Sequence, residues 1–272
     1  MSISVLILTH NEEVNIQDCL DSVSWCDDVV VLDSGSTDRT RDIARTAGAR
    51  VLERPFHDFA TQRNFGIAHG GFVHDWIFHL DADERIPANL RVEMREAVTQ
   101  DDVDAFRVAF KLMFRGRWLK RAGMYPVYQV RLGKKSVLRF EEVGHGQREV
   151  LPADRVATLR APLRHEAFAK GIDAWRERHR RYADREAAAA TEHLCRRSMP
   201  WKQLFSPDRT VRRRAAKALS WRLPCRPTMR FVYMMFLRGG VLDGPAGWTY
   251  CRLMAEYERM TDQRIGELRG PR

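Results

Sequence analysis

Apolar and polar positions alternate in blocks from the start of the chain. Ile3-Ser4-Val5-Leu6-Ile7-Leu8 is a short apolar run stopped by His10-Asn11-Glu12-Glu13, the pattern of a buried strand. Between Glu13 and Ser22 the period changes: Ile16, Cys19, Leu20 and Val23 recur at helical spacing. Asp28-Val29-Val30-Val31-Leu32 predicts a second strand running into Asp33-Ser34-Gly35-Ser36-Thr37-Asp38. Ser36 or Thr37 is expected to cap the helix carrying Ile43, Ala44 and Ala47, and Gly48 to stop it. A third strand is predicted at Arg50-Val51-Leu52-Glu53, a helix through Asn64 to Ala68, and a fourth strand ending at Asp81. Repeated strand–helix alternation predicts an α/β fold with a mostly parallel sheet flanked by helices, its chemistry at the carboxyl ends of the strands.

Beyond Asp104 the pattern loosens. Phe106–Phe110, Tyr128–Leu132 and Val156–Leu163 predict strands separated by Gly116, Gly123, Pro126, Gly144 and Gly146, an extension of the same sheet. Gly171 to Leu194 predicts a helix with Ile172, Trp175, His179 and Tyr182 along one stripe, a packing face.

Three polar clusters fall at predicted strand ends: Thr9-His10-Asn11-Glu12, Asp33 to Asp38, and Asp81-Ala82-Asp83-Glu84. In extended backbone, residues two apart share a side, so Asp81 and Asp83 would converge on one hard cation such as Mg²⁺ or Mn²⁺. The competing reading is an acidic loop that keeps a strand end soluble. Convergence of three segments on one edge favours a site. Glycine-rich phosphate cradles of the G-x-G-x-x-G and G-x-x-x-x-G-K-[ST] kinds are missing, as is a G-x-S-x-G elbow.

The formal charge of +10 over 272 residues is unevenly spread. Twelve Lys or Arg lie between Glu192 and Asp243 against one acid, Asp208, so the excess belongs to a C-terminal segment that would meet an anionic surface. Trp201–Phe205, Arg209–Trp221 and Met229–Leu237 mix arginine with aromatic and apolar residues, as in helices lying in a membrane interface. A solvated basic face is the competing reading, and no nucleic-acid motif supports a third. No apolar run is long enough to span a bilayer. Five scattered cysteines, Cys19, Cys26, Cys195, Cys225 and Cys251, fit free thiols in a reducing compartment. With no secretory leader pattern, the expected location is cytoplasmic, peripheral on the inner face of the cytoplasmic membrane.

With these motifs in order, the chain resembles the family 2 glycosyltransferases of the GT-A fold. The resemblance rests on Leu8-Thr9-His10-Asn11-Glu12-Glu13, Val31 to Asp38, Gln62-Arg63-Asn64 and Leu80-Asp81-Ala82-Asp83-Glu84. Gly116-Arg117-Trp118, Gly123-Met124-Tyr125-Pro126, Pro162-Leu163-Arg164-His165 and Phe236 to Gly244 extend it toward the lipopolysaccharide-core glucosyltransferase type. The resemblance implies a nucleotide-sugar-binding half over 1–100, an acceptor-side half over 101–168, and a helical basic tail over 169–272. It implies a nucleotide-sugar pocket lined by Thr9, Asn11, Glu12, Asp33, Ser34, Arg63 and Asp81, and a divalent Mn²⁺ or Mg²⁺ held by Asp83, Asp81 and His165. His165 has a structural alternative, a hydrogen-bonded core histidine.

The implied reaction is inverting transfer of a hexose, UDP-linked, to a hydroxyl of a lipid-linked or lipopolysaccharide-core glycan. Asp83 would act through the metal, and a carboxylate would serve as base. Relatives often carry a His-Glu pair near Glu141-Glu142-Val143-Gly144-His145; here Gly146 follows His145, so Glu142 is the candidate base, with Glu149 and Glu84 as alternatives. Trp118, Tyr125 and His145 are acceptor-side candidates. The missing Glu motivates the alternative, a non-catalytic sugar-nucleotide or glycolipid binding module on the same fold.

Overall fold

The structure, a computed structural model, describes residues 3–143, 146–195, 201–207 and 209–269. The chain divides into two compact units: Met1–Lys120 with Met124–Lys170, and Arg121–Gly123 with Gly171–Arg272.

The first unit runs β1 (Ile3–Thr9), α1 (Ile16–Ser22), β2 (Val29–Asp33), α2 (Thr40–Thr46), β3 (Arg50–Glu53), α3 (Phe59–His69), β4 (Trp76–Asp81), β5 (Glu84–Arg85) and α4 (Ala88–Ala97). It continues with β6 (Ala105–Phe114), β7 (Arg117–Trp118), β8 (Tyr128–Lys134), β9 (Phe140–Val143), β10 (Gly146–Glu149), β11 (Val156–Thr158) and β12 (Leu163–His165). The sheet order is β3-β2-β1-β4-β8-β6-β12-β5, with β7 and β11 also paired to β6 and β9–β10 forming a separate antiparallel ribbon. The four strands β3, β2, β1 and β4 are mutually parallel. Antiparallel β8 then reverses direction against both β4 and β6.

β1 lies inside the parallel part of the sheet, between β2 and β4, and all seven of its residues are buried. Successive side chains of a strand point to opposite faces. Ile3, Val5 and Ile7 accordingly pack with Ile16, Cys19 and Leu20 of α1 and with Leu90 and Met94 of α4. Leu6 and Leu8 pack on the other face with Ala60 and Ile67 of α3. A strand covered on both faces must read as a continuous apolar run, as this one does. Gly66 lets α3 come close: a Cβ there would lie 2.5 Å from a Leu6 methyl.

Several expected boundaries shift for local reasons. α3 begins at Phe59, five residues ahead of the expected start, because the Asp58 carboxylate caps it by accepting from the Thr61 N–H at 2.8 Å. Neither Ser36 nor Thr37 caps α2; the Asp38 carboxylate accepts from the Thr40 N–H at 3.0 Å instead. The run Val156–Leu163 splits into two short strands, β11 and β12, both parallel to β6.

The second unit contains α5 (Gly171–Cys195), α6 (Arg209–Ser220), α7 (Arg226–Val232) continued by a π-helical turn at Tyr233–Leu237, a 3₁₀ turn at Gly240–Asp243, and α8 (Gly244–Arg269). The aromatic stripe on α5 is packing: His179 stacks on Trp175 with ring centres 3.5 Å apart and meets the edge of Tyr257 on α8 at 5.3 Å. Buried Tyr257 donates its hydroxyl to Glu186 at 2.9 Å. Part of the basic charge is spent inside this unit. Arg226 is buried against Glu258, at 2.6 Å, and Asp262 of α8. Among the described residues no helix is long and apolar enough to cross a membrane.

Candidate active site

The parallel register brings Thr9 beside Asp33 and Leu8 beside Asp81, so three strands end together. The loops that follow β1 and β2 are laced to each other. The Asn11 N–H donates to Ser36 Oγ at 2.8 Å, the Thr37 N–H to Asn11 Oδ1 at 2.7 Å, and the Glu12 N–H to Thr40 Oγ1 at 2.8 Å. Asn11 takes the left-handed conformation (φ 53°) that this crossing needs, one that asparagine tolerates better than most residues. Asp33 is fully buried and accepts from the Gly35 and Ser36 N–H groups at 3.0 and 2.8 Å, and from the Ser36 hydroxyl. Its carboxylate therefore builds the loop. Thr9 Oγ1 is buried with no partner at the mouth of this loop pair.

Gln62-Arg63-Asn64 in α3 reaches three separate elements. Gln62 donates to Ser34 Oγ at 3.0 Å, and Arg63 donates to Asp81 Oδ1 at 2.7 Å. Asn64 clamps the backbone of Phe140, at the start of the β9–β10 ribbon, by bonds of 2.8 and 2.9 Å. One turn of helix thus ties the second strand's loop, the fourth strand's end and the ribbon together.

The D-x-D segment is not extended. β4 stops at Asp81 and the chain turns through Ala82 and Asp83 before β5, so residues two apart no longer share a side. Asp81 offers both oxygens to arginines, Oδ1 to Arg63 and Oδ2 to Arg131 Nη2 at 3.1 Å. Arg131 Nη2 also donates to Glu84 Oε1 at 2.5 Å, and Glu84 Oε2 accepts the Asp81 N–H at 3.0 Å. Asp83 turns the other way, its Oδ2 lying 3.3 Å from His165 Nε2, while its carbonyl accepts from the Glu166 N–H at 2.7 Å. Glu12 is held by Asn15 at 2.7 Å and Lys170 at 2.5 Å.

Charge follows from these contacts. Burial alone would raise the Asp81 carboxyl, but Arg63 and Arg131 outweigh it and hold Asp81 well below the usual carboxylate range. Glu84, shut from water, is raised to about 7; burial drives it, Arg131 opposes it and the Asp81 charge adds to it. Burial would lower His165, yet the Asp83 carboxylate beside it raises the imidazole. Glu12 is raised by burial and by the charge of Asp83. His79, fully buried under Phe140, is pushed far below its ordinary value by burial and the two guanidiniums, and stays neutral.

Asp81 is committed to arginine, which leaves Asp83 and His165 as the donors for a cation. No group of three or more His, Cys, Asp or Glu side chains is arranged as a metal site among the described residues. Mg²⁺ and Mn²⁺ sites that also hold a substrate diphosphate commonly use only one or two protein ligands, so an Asp83–His165 pair fits such an ion. Arg131 is the site residue that motif reading passed over. Its signal was an arginine inside an otherwise apolar strand, where a buried charge requires a partner.

The remaining candidates sit on other elements. Glu142 is exposed on β9, opposite Gln147 in the ribbon. Trp118 meets Tyr125 edge to face at 5.1 Å and has Lys111 Nζ 4.6 Å over its ring. With Lys111, Arg164 and Pro87 it lines a cavity of about 320 Å³. His145 lies outside the described residues.

A mixed α/β sheet with a parallel amino-terminal half, carrying a carboxylate turn at the shared carboxyl edge, defines a GT-A glycosyltransferase domain. The family model of glycosyl transferase family 2 matches residues 4–146, and the chain belongs to that family. An uncharacterized glycosyltransferase of Rickettsia typhi is 36% identical over 118 residues, covering 42% of this chain and 40% of that one. The lipopolysaccharide core biosynthesis glycosyltransferase LpsC of Rhizobium meliloti is 32% identical over 115 residues, 40% of this chain and 42% of that one. These matches span about two fifths of the relatives' length. Glucosyl-3-phosphoglycerate synthase from Mycobacterium tuberculosis, solved with Mn²⁺, UDP and glucosyl-3-phosphoglycerate, superposes with a TM-score of 0.42 at 20% identity, covering 61% of this chain and 72% of that one.

Proposed function

We propose that this protein transfers a hexose from a UDP-linked donor to a hydroxyl of a lipid-linked or lipopolysaccharide-core glycan, with inversion at the anomeric carbon. The observation that carries the reading is the Asp83–His165 pair at 3.3 Å beside the laced loops of β1 and β2. Thr9, Asn11, Glu12, Ser34 and Arg63 would form the nucleotide pocket, with Asp33 shaping the loop beside it rather than touching the nucleotide. Thr9 Oγ1 and the Arg63 Nε and Nη1 groups are polar atoms without a protein partner, as suits groups that hold a ligand. Asp81 would hold Arg63 and Arg131 in place. Asp83 and His165 would hold Mn²⁺ or Mg²⁺, which when bound supplies positive charge against the departing diphosphate.

The acceptor hydroxyl attacks from the face opposite the diphosphate, and its proton would pass to Glu142. The ribbon that carries Glu142 starts at Phe140, which Asn64 fixes next to Arg63. Such an acceptor would keep the protein at the cytoplasmic face of the membrane, with the basic C-terminal segment against anionic lipid.

A panel of UDP-, GDP- and dTDP-sugars tested by thermal shift with and without Mn²⁺ should show a metal-dependent rise for one UDP-sugar, since a ligand that binds only the folded state stabilises it. Asp83→Asn should abolish the metal-dependent part of that rise and lower turnover at least about a hundredfold, the scale on which loss of one transition-state charge contact is felt. Unchanged turnover in Asp83→Asn would sink the metal assignment.

A further inference from the structure

α7 and its π-helical continuation bury one side and expose the other, and the exposed side is apolar. Met234 and Met235 are buried against Ala122 and Cys251. Met229, Val232, Tyr233 and Phe236 recur at positions i, i+3, i+4 and i+7 and are all exposed, and Leu237 beside them is 78% exposed. A helix on a water-facing surface shows the reverse arrangement. After Gly239 (φ 74°), Leu242 in the 3₁₀ turn is 73% exposed. The apolar stripe therefore continues onto a knuckle at the end of the helix.

Along the sequence the charge of this segment has one sign up to Asp243. No acidic residue occurs between Asp208 and Asp243, and half-buried Arg238 follows the stripe directly, while Arg230 lies on the packed side with buried Arg226 and Met234, its charge acting on Glu258 of α8. Exposed Arg121 approaches the turn, its Cδ 3.9 Å from where a Gly239 Cβ would be. Asp243, which ends the acid-free run, has a carboxylate oxygen accepting the Arg121 and Ala122 N–H groups at 2.9 and 2.7 Å.

We infer that the face formed by Met229, Val232, Tyr233, Phe236, Leu237 and Leu242 docks on an anionic lipid surface. The apolar side chains enter the headgroup boundary, and Arg238 and Arg121 meet the lipid phosphates. A second copy of this chain fits less well, because a self-complementary contact would bring the acid-free segment against its own positive charge. The inference rests on the proposed function only in taking the acceptor to be lipid-borne.

The test is flotation of the full chain with vesicles of phosphatidylcholine alone or mixed with phosphatidylglycerol, without sugar donor or acceptor. The expected result is binding at least about tenfold tighter to the anionic vesicles. The double variant Phe236→Ser/Leu237→Ser should weaken that binding about tenfold or more, with melting temperature and oligomeric state unchanged. Leu242→Ser, in the turn outside the helix, should weaken it in the same direction. Absence of binding by the wild type, or equal binding by the variants, overturns the inference. A wild-type dimer that the variants dissociate assigns the face to a second copy and overturns it too. Vesicle binding without sugar transfer would sink the proposed function alone; transfer to a detergent-solubilised lipid-linked acceptor without vesicle binding would sink this inference alone.

Discussion

Arg131 stands between Asp81 and Glu84, buried like Glu84 while a third of the Asp81 side chain is exposed, and one of its nitrogens serves both carboxylates. A single partner removed from a buried charge cluster leaves the rest without compensation, at a cost of about 3–5 kcal/mol. Arg131→Met should therefore lower stability by roughly that amount in urea denaturation. The same cluster sets a pH dependence. Glu84 is raised in the folded state, so the stability linked to it is fully present below its unfolded value near 4.5 and is lost as pH rises through about 7. His165, also raised, acts in the same direction from its ordinary value of 6.5 upward. Asp81, lowered, contributes stability above 3.8 that is lost in stronger acid. His79, held neutral, opposes Glu84 and His165, because the stability linked to it is lost as pH falls through 6.5. In metal-free buffer the melting temperature should rise as pH falls from about 8 to 6.5, level off while Glu84 and His79 offset each other, and fall below about pH 4. Glu84→Gln should turn that plateau into a fall in melting temperature below about pH 6.5.

At the scale of elements, close backbone approaches decide which changes the fold tolerates. Gly247, in the first turn of α8, faces the carbonyl oxygen of Gly240, and an added Cβ would sit 2.2 Å from it. The neighbour is backbone and cannot swing away. Gly247→Ala should cost about 1–3 kcal/mol, the range for overpacking, read by urea denaturation of the full chain. Asp58 caps α3, the helix whose Gln62, Arg63 and Asn64 hold the site, and its loss should cost about 1 kcal/mol. Because that helix positions Arg63 against Asp81, Asp58→Ala should also raise the KM for the sugar donor. An unchanged KM would mean that the rest of the fold alone positions α3.

Across the whole molecule, metal and salt should separate the two proposed roles. EDTA should remove sugar transfer and leave vesicle binding intact, because nothing in the stripe on α7 ligates a cation. Raising salt from about 0.1 to 0.5 M should weaken vesicle binding without abolishing it, since screening reaches the arginines but not the apolar contact. Residual vesicle binding at high salt that the Phe236→Ser/Leu237→Ser variant does not lower would mean electrostatics alone holds the protein there.

Much of the first unit is legible in the chain because its pattern has local causes. Apolar runs ending in polar clusters marked β1, β2 and β4, and parallel pairing brought those ends to one edge. The motif order identified the family, since each segment serves a site that the fold must assemble in the same sequence. Other features were decided only in three dimensions. The turn at Ala82 and Asp83 sends the two carboxylates to different partners, and no count of residues between them reveals it. Asp33 spends its oxygens on its own loop, and Arg131 becomes a site residue only because β8 pairs with β4. The basic C-terminal segment read as one charged surface, yet Arg226 is buried against α8 while the neighbouring apolar stripe is left in water. Local sequence determined the strands, the helices and the edge on which chemistry gathers. Tertiary pairing determined which charges neutralise one another, because that depends on distances across the chain.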